Sequence, residues 1–144
     1  IALNAGIACG ATCIIVPELP FDLDEMIMKI KRIQKTGKEH FIVIVAEGVG
    51  NVSKIAEEIE AKTGIESRAT ILGHVQRGGS PTVRDRVIAS QMGYHAVSLL
   101  KQGIGNRVVG MRGNDIVDYD INEGLAMVKP FDKQLYQIAD EISI

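Results

Sequence analysis

Tryptophan is absent and aromatic residues make up only 4% of the 144-residue chain. Without such platforms the chain is poorly equipped to stack nucleobases. It also lacks an excess of either charge, with 16 Lys and Arg against 18 Asp and Glu, so the basic bias of a general nucleic-acid binder is missing. Anionic small molecules remain possible ligands, because a local site needs only a few cations. There is no apolar span of membrane-crossing length, no signal peptide, no internal repeat and no low-complexity linker. Only two cysteines occur, Cys9 and Cys13. A CxxxC pair alone is a weak metal signal. Both read as buried thiols of a cytoplasmic protein, and no metal site is expected.

What is present is a good core supply. Apolar residues account for 46% of the chain, and 15 glycines cluster at segment ends, where α/β proteins place tight turns. Residues 1–8 already read as an uncapped helix, so further sequence is expected upstream of Ile1.

The pattern alternates strand and helix. Cys13-Ile14-Ile15-Val16-Pro17 and Phe41-Ile42-Val43-Ile44-Val45-Ala46 are continuous apolar runs, as in central parallel strands. Between them, Asp22 with Glu25 three residues on predicts a capped helix that buries Met26, Ile27, Ile30 and Ile33 and ends near Gly37. A helix over 52–62 closes at Gly64, and Arg68-Ala69-Thr70-Ile71-Leu72 predicts a third strand. Ser80 at N-cap and Pro81 at the first helical position predict a long helix to about Gln102, with Val87, Ile88, Met92, Ala96 and Leu99 inward. A strand from Arg107, a Gly113-Asn114 turn, a more polar strand, a short helix over 122–127 and a last helix over 132–142 complete the chain. Repeated strand–helix units predict an α/β fold: a three-layer sandwich with a mostly parallel sheet.

Ligands of open α/β sheets sit beyond the carboxyl ends of the strands. Here those ends carry Glu18, Glu47 and the Gly73-His74-Val75-Gln76-Arg77-Gly78-Gly79 stretch. Carboxylates, an imidazole and a guanidinium suit a polyhydroxylated, anionic molecule. Arg77 offers planar paired donors to a phosphate, with His74 beside it, and the following helix offers its positive end. Loop histidines and surface arginines are common, so spacing alone leaves the bland reading equally open. Arg68 begins its strand at the opposite edge.

The string Leu72-Gly73-His74-Val75-Gln76-Arg77-Gly78-Gly79-Ser80-Pro81, followed by Asp85-Arg86, resembles the signature of the bacterial ATP-dependent 6-phosphofructokinases. Agreement extends to Ile15-Val16-Pro17-Glu18, Val45-Ala46-Glu47-Gly48, Arg107-Val108-Val109-Gly110 and the closing Glu141-Ile142-Ser143-Ile144. The resemblance implies the C-terminal part of a two-lobed kinase. Its reaction would move the γ-phosphoryl group of ATP, with Mg2+, to the 1-hydroxyl of fructose 6-phosphate. It assigns 1–77 to the sugar-phosphate lobe, 78–115 to the nucleotide lobe, 116–129 to the sugar-phosphate lobe again and 130–144 to a C-terminal helix. Some apolar helix faces should then stay uncovered in this chain.

By the same resemblance, His74 and Arg77 hold the 6-phosphate, Glu47 bonds the sugar, and Arg68 reaches the phosphate across a subunit interface of a homotetramer. Val75 and Gln76 lie within the substrate segment. The nucleotide loop, the metal-binding acid and the catalytic base are expected upstream, which leaves no catalytic residue here and predicts an inactive isolated chain. Gly10, Lys38 and His40 match an effector pocket for ADP or phosphoenolpyruvate. Thr12, Thr36 and Glu39 depart from it, replacing an acid and two cations and placing a negative charge where a polyanion should bind. Two other readings stay open: a pyrophosphate-dependent relative, and a non-catalytic sugar-phosphate-binding module.

Overall fold

Two three-residue strands, Cys13–Ile15 (β1) and Val43–Val45 (β2), lie parallel, with Ile14 opposite Ile44. They belong to a computed structural model that describes residues 1–143; Ile144, the end of the closing string, lies outside the described residues. Alternation along a strand sends successive side chains to opposite faces. Cys13, Ile15, Val43 and Val45 face a cluster built from Met26, Ile27 and Ile30 of α2 (Leu23–Gln34) and Ile55 and Ile59 of α3 (Val52–Thr63). Ile14 and Ile44 face the other cluster, with Leu3 of α1 (Ala2–Ala8) and Ala139 of α6 (Lys133–Ile142). Helices therefore cover both faces of the pair, which is the expected three-layer α/β arrangement. Ile30, only 1% exposed, is the most deeply buried large side chain, and burial of this kind contributes about 1.5–3 kcal/mol per aliphatic residue.

Local chemistry sets the ends of these helices. The Asp22 carboxylate accepts from the backbone of Asp24 and Glu25, at 2.8 and 3.3 Å, and Lys31 and Arg32 sit in the last turn of α2. α3 ends at Gly64, whose φ of 72° satisfies a left-handed C-cap. The approach of α1 to β1 needs Gly6: a Cβ there would stand 2.6 Å from Ile14 Cγ1 and closer still to Cδ1. Tyr136 on α6 donates its hydroxyl to the Ile14 carbonyl at 3.1 Å. Lys29 on α2 reaches the end of α6, donating to the Asp140 carbonyl and carboxylate and to Ser143 Oγ.

These elements form one compact unit, Ile1–Ile71 with the described residues from Phe131 onward; Leu72–Pro130 form a second. In the second, β3 (Arg107–Arg112) and β4 (Asp115–Asp120) pair antiparallel through a two-residue loop whose Gly113 has φ 65°. α4 (Val83–Lys101) and α5 (Ile121–Ala126) pack on this hairpin. The ladder joins 107–112 to 115–120.

Several expectations are corrected. Arg68–Leu72 is not a strand. The stretch before it is held by Ser67 N–H to Glu60 Oε2 at 2.9 Å and by Ile65 N–H to Thr63 Oγ1 at 3.1 Å. Those local bonds compete with a ladder, and Ile71 stays 78% exposed. Among the described residues the regular strands form a parallel pair, β1 with β2, and an antiparallel pair, β3 with β4. α4 starts two residues later than expected: Thr82, not Ser80, is its N-cap. Thr82 Oγ1 accepts from Asp85 N–H, and Asp85 Oδ2 accepts from Thr82 N–H at 2.8 Å. Asp85 lies three residues beyond Thr82 and completes the capping box, whereas Ser80 is followed at that spacing by Val83.

No residue of the second unit is fully buried among the described residues. Ile88, Met92, Ala96 and Leu99 are half-buried, and Val87, expected inward, is 51% exposed. Val83, Tyr94, Val97 and Leu100 leave further apolar surface of α4 open. Cys9, expected buried, is exposed at the end of α1. Cys13 is half-buried, and burial pushes its thiol up to about 11, which makes it a poor nucleophile.

Candidate functional site

The parallel pair sends the carboxyl ends of β1 and β2 to one edge of the first unit. Glu47 lies two residues beyond the end of β2, after Ala46, and opens a 3₁₀ turn, Glu47–Val49. Pro17 follows β1, and the two loops pack closely: a Cβ on Gly48 would lie 3.2 Å from Pro17 Cγ. Glu47 is exposed, and among the described residues no cation pairs with it. Its carboxylate is open to accept hydrogen bonds from a ligand hydroxyl. Arg68 is also exposed, with Nε and Nη2 at 3.0 and 2.7 Å from Glu66 Oε1. Such a surface pair is worth about 0–1 kcal/mol, so a doubly charged anion can displace it.

His74, Val75, Gln76 and Arg77 lie on a second 3₁₀ turn, Gly73–Arg77, in the second unit. The turn begins where Gly73 adopts φ 58°, a left-handed conformation that favours glycine. Side chains three residues apart eclipse one another in 3₁₀ geometry, so His74 and Arg77 share a face. Both are exposed, while Gln76 is half-buried. The turn thus exposes one imidazole and one guanidinium, three residues apart, with Gly78 and Gly79 following.

The helix end behind the turn carries its own carboxylate. Its capping box ties Thr82 N–H to a carboxylate, and the Asp85 carboxyl is held below its usual range by the Thr82 backbone and hydroxyl. A resident carboxylate opposes a second anion at that helix end, and His74 and Arg77 are the basic side chains of the turn before it.

The three residues expected at an effector pocket belong to the first unit. Gly10 follows α1 with φ 64°, and its N–H donates to the Ile7 carbonyl at 3.2 Å. Thr12 N–H donates to the Ile42 carbonyl at 2.8 Å, which brings the Gly10–Thr12 stretch beside the segment that carries half-buried Lys38 and exposed His40. Thr36 turns its hydroxyl back to the Ile33 carbonyl at 2.7 Å, and Glu39 is exposed.

Two features escaped the sequence. Thr12 is 1% exposed, and its Oγ1 has no hydrogen-bond partner among the described residues. Asp118 on β4 gathers His95 of α4 and Arg107 of β3, with His95 Nε2 at 2.8 Å from Oδ2 and Arg107 Nε at 2.7 Å from Oδ1. Charged residues alternating along a hairpin hint at the Arg107 pair, but no local signal reaches His95. Among the described residues no group of three or more His, Cys, Asp or Glu could hold a metal ion, and no helix is long and apolar enough to cross a membrane.

Comparison with known proteins matches this geometry to one family. The family model described as PFK, phosphofructokinase, matches residues 1–100. ATP-dependent 6-phosphofructokinase 1 of Clostridium perfringens is 54% identical over 143 residues, and the ATP-dependent 6-phosphofructokinase of Clostridioides difficile is 50% identical over 144. These matches cover 99% and 100% of this chain but 45% of each relative, so the chain spans about half the length of the curated relatives it matches. Among solved structures, the T-state phosphofructokinase of Pichia pastoris superposes with a TM-score of 0.74 at 30% identity, covering 98% of this chain and 16% of that one. The Saccharomyces cerevisiae phosphofructokinase gives 0.75 at 28% identity, covering 99% and 21%. The chain belongs to the phosphofructokinase family.

Proposed function

We propose that this chain supplies part of the fructose 6-phosphate pocket of an ATP-dependent 6-phosphofructokinase. The observation that carries the reading is the exposed turn holding His74 and Arg77 on one face. A phosphate monoester is dianionic near neutral pH and is best held by a guanidinium with a second donor beside it. The names of the two clostridial relatives, both ATP-dependent 6-phosphofructokinases, support ATP over pyrophosphate as donor.

In the parent enzyme His74 and Arg77 would fix the 6-phosphate, and Glu47 would accept a hydrogen bond from a sugar hydroxyl. Arg68 would leave its Glu66 partner and reach the phosphate bound by a neighbouring subunit of a homotetramer. Val75 and Gln76 would line the same segment. Holding the sugar by its 6-phosphate orients the 1-hydroxyl, and phosphoryl transfer depends mostly on such positioning and on charge stabilisation. Proton removal and ATP binding would fall to residues outside this chain. The Mg2+ that accompanies ATP would be held by residues outside this chain as well. The isolated chain is then inactive in the cytoplasm and in the tube alike.

We assign 1–77 to the sugar-phosphate lobe, 78–115 to the nucleotide lobe, 116–129 to the sugar-phosphate lobe again and 130–144 to a C-terminal helix. An effector pocket at Gly10, Lys38 and His40 would bind ADP or phosphoenolpyruvate weakly, because Glu39 repels a polyanion and Thr36 adds no charge. The test of the main reading is Arg77→Ala in the full-length parent. Losing a charge-assisted phosphate contact costs about 1.5–3 kcal/mol, a tenfold to hundredfold rise of roughly that order in the fructose 6-phosphate KM. An equal rise in the ATP KM would reject the assignment.

A further inference from the structure

α4, β3 and β4 meet at one polar group. The Asp118 carboxylate on β4 uses both oxygens: Oδ2 takes His95 Nε2–H from α4 at 2.8 Å, and Oδ1 takes Arg107 Nε–H from β3 at 2.7 Å. Arg107 Nη2 also donates to the Asp118 carbonyl at 3.2 Å. The three side chains are half-buried, in a unit where no described residue is fully buried. Apolar contact alone fixes orientation poorly in such a unit, because non-directional burial tolerates sliding and tilting. Directional, charge-assisted bonds do not.

We propose that His95, Asp118 and Arg107 are positioning residues that set the angle of α4 on the β3–β4 hairpin and thereby the placement of the His74–Arg77 turn. This rests on the reading of that turn as the phosphate site. The lever is long. His95 lies thirteen residues beyond Thr82, about 20 Å along a helix. A tilt of only about 2° at His95 moves the capped start of α4 by about 0.7 Å at that rise per residue. Five residues farther back stands Arg77, and a site of this kind tolerates a shift of about 0.5 Å. His95 contributes geometry, not substrate contact.

The test uses the full-length parent enzyme with Asp118→Asn, His95→Ala and His95→Gln. Gln retains a side-chain N–H able to reach Asp118. The fructose 6-phosphate KM is expected to rise about tenfold in Asp118→Asn and His95→Ala, as sub-ångström misplacement allows. The ATP KM should stay within about twofold, and His95→Gln should stay near the parent. Circular dichroism establishes folding, and if Asp118→Asn fails to fold, the His95 pair decides. An unchanged sugar KM in a folded Asp118→Asn or His95→Ala enzyme overturns the proposal. So do an equal rise for both substrates and a His95→Gln as impaired as His95→Ala. Arg77→Ala separates the two levels. If it leaves the sugar KM unchanged, the phosphate-site reading falls and the positioning role falls with it. If it raises that KM while Asp118→Asn and His95→Ala do not, only the positioning role falls.

Discussion

His74 and Arg77 stand three residues apart on one 3₁₀ turn, so their side chains leave the backbone on the same side. The rise over three residues is about 6 Å, a separation that lets two donors grip one tetrahedral anion. An extended segment over the same residues would not enforce this pairing, because successive side chains there alternate between faces. The phosphate reading therefore rests on backbone geometry as well as on residue type.

Gly6 is expected to be intolerant of even a methyl group. Alanine in mid-helix normally gains about 0.5–1 kcal/mol over glycine. Here its Cβ would collide with the buried Ile14 side chain, and overpacking costs about 1–3 kcal/mol. Thermal unfolding of Gly6→Ala should show a lower Tm. A raised Tm would mean that α1 does not pack on β1 as described.

Thr12→Val should stabilise the fold or leave it unchanged. The hydroxyl is buried without a partner among the described residues. Replacing it with a methyl of similar shape removes a desolvation penalty of about 1–3 kcal/mol. Denaturant titration decides: a loss of more than about 1 kcal/mol would reveal a hydrogen bond to the hydroxyl.

The second unit should be acid-sensitive. Asp85 is held below the usual carboxylate range by Thr82, and Asp118 by His95 first and Arg107 second. A carboxylate whose folded pKa lies below its unfolded value, about 3.9, adds stability above that value and loses it as the pH falls through the lower folded pKa. Far-UV circular dichroism should therefore report loosening below about pH 4. Asp85→Asn should remove part of that dependence. An acid transition identical in the variant would show that the capping carboxylate is not linked to folding.

Much of the first unit was readable from sequence because its signals are local. Continuous apolar runs marked β1 and β2, Asp22 marked the start of α2, and Gly64 marked the end of α3. The failures are non-local. Arg68–Leu72 has strand-like composition, but a strand also needs a neighbouring edge, and composition does not supply one. Pro81 drew the start of α4 too early, because a favourable first-turn residue competes with the reciprocal Thr82–Asp85 bonds that decide it. In the site, His74 and Arg77 were visible as residue types, while their shared face depends on a 3₁₀ turn that no periodicity announces. The bond from His95 to Asp118 spans 23 residues and joins a helix to a strand, so no local pattern encodes it.

The most direct test is a double-mutant cycle on the full-length parent enzyme: His74→Ala, Arg77→Ala and the pair, with KM measured for fructose 6-phosphate and for ATP. If both side chains grip one phosphate, each single change raises the sugar KM roughly tenfold or more. The pair should then cost less than the sum of the singles, with a coupling of about 0.5–3 kcal/mol, and the ATP KM should barely move. A sugar KM unchanged in both singles, or a rise shared equally by ATP, would contradict the placement of the 6-phosphate on this turn.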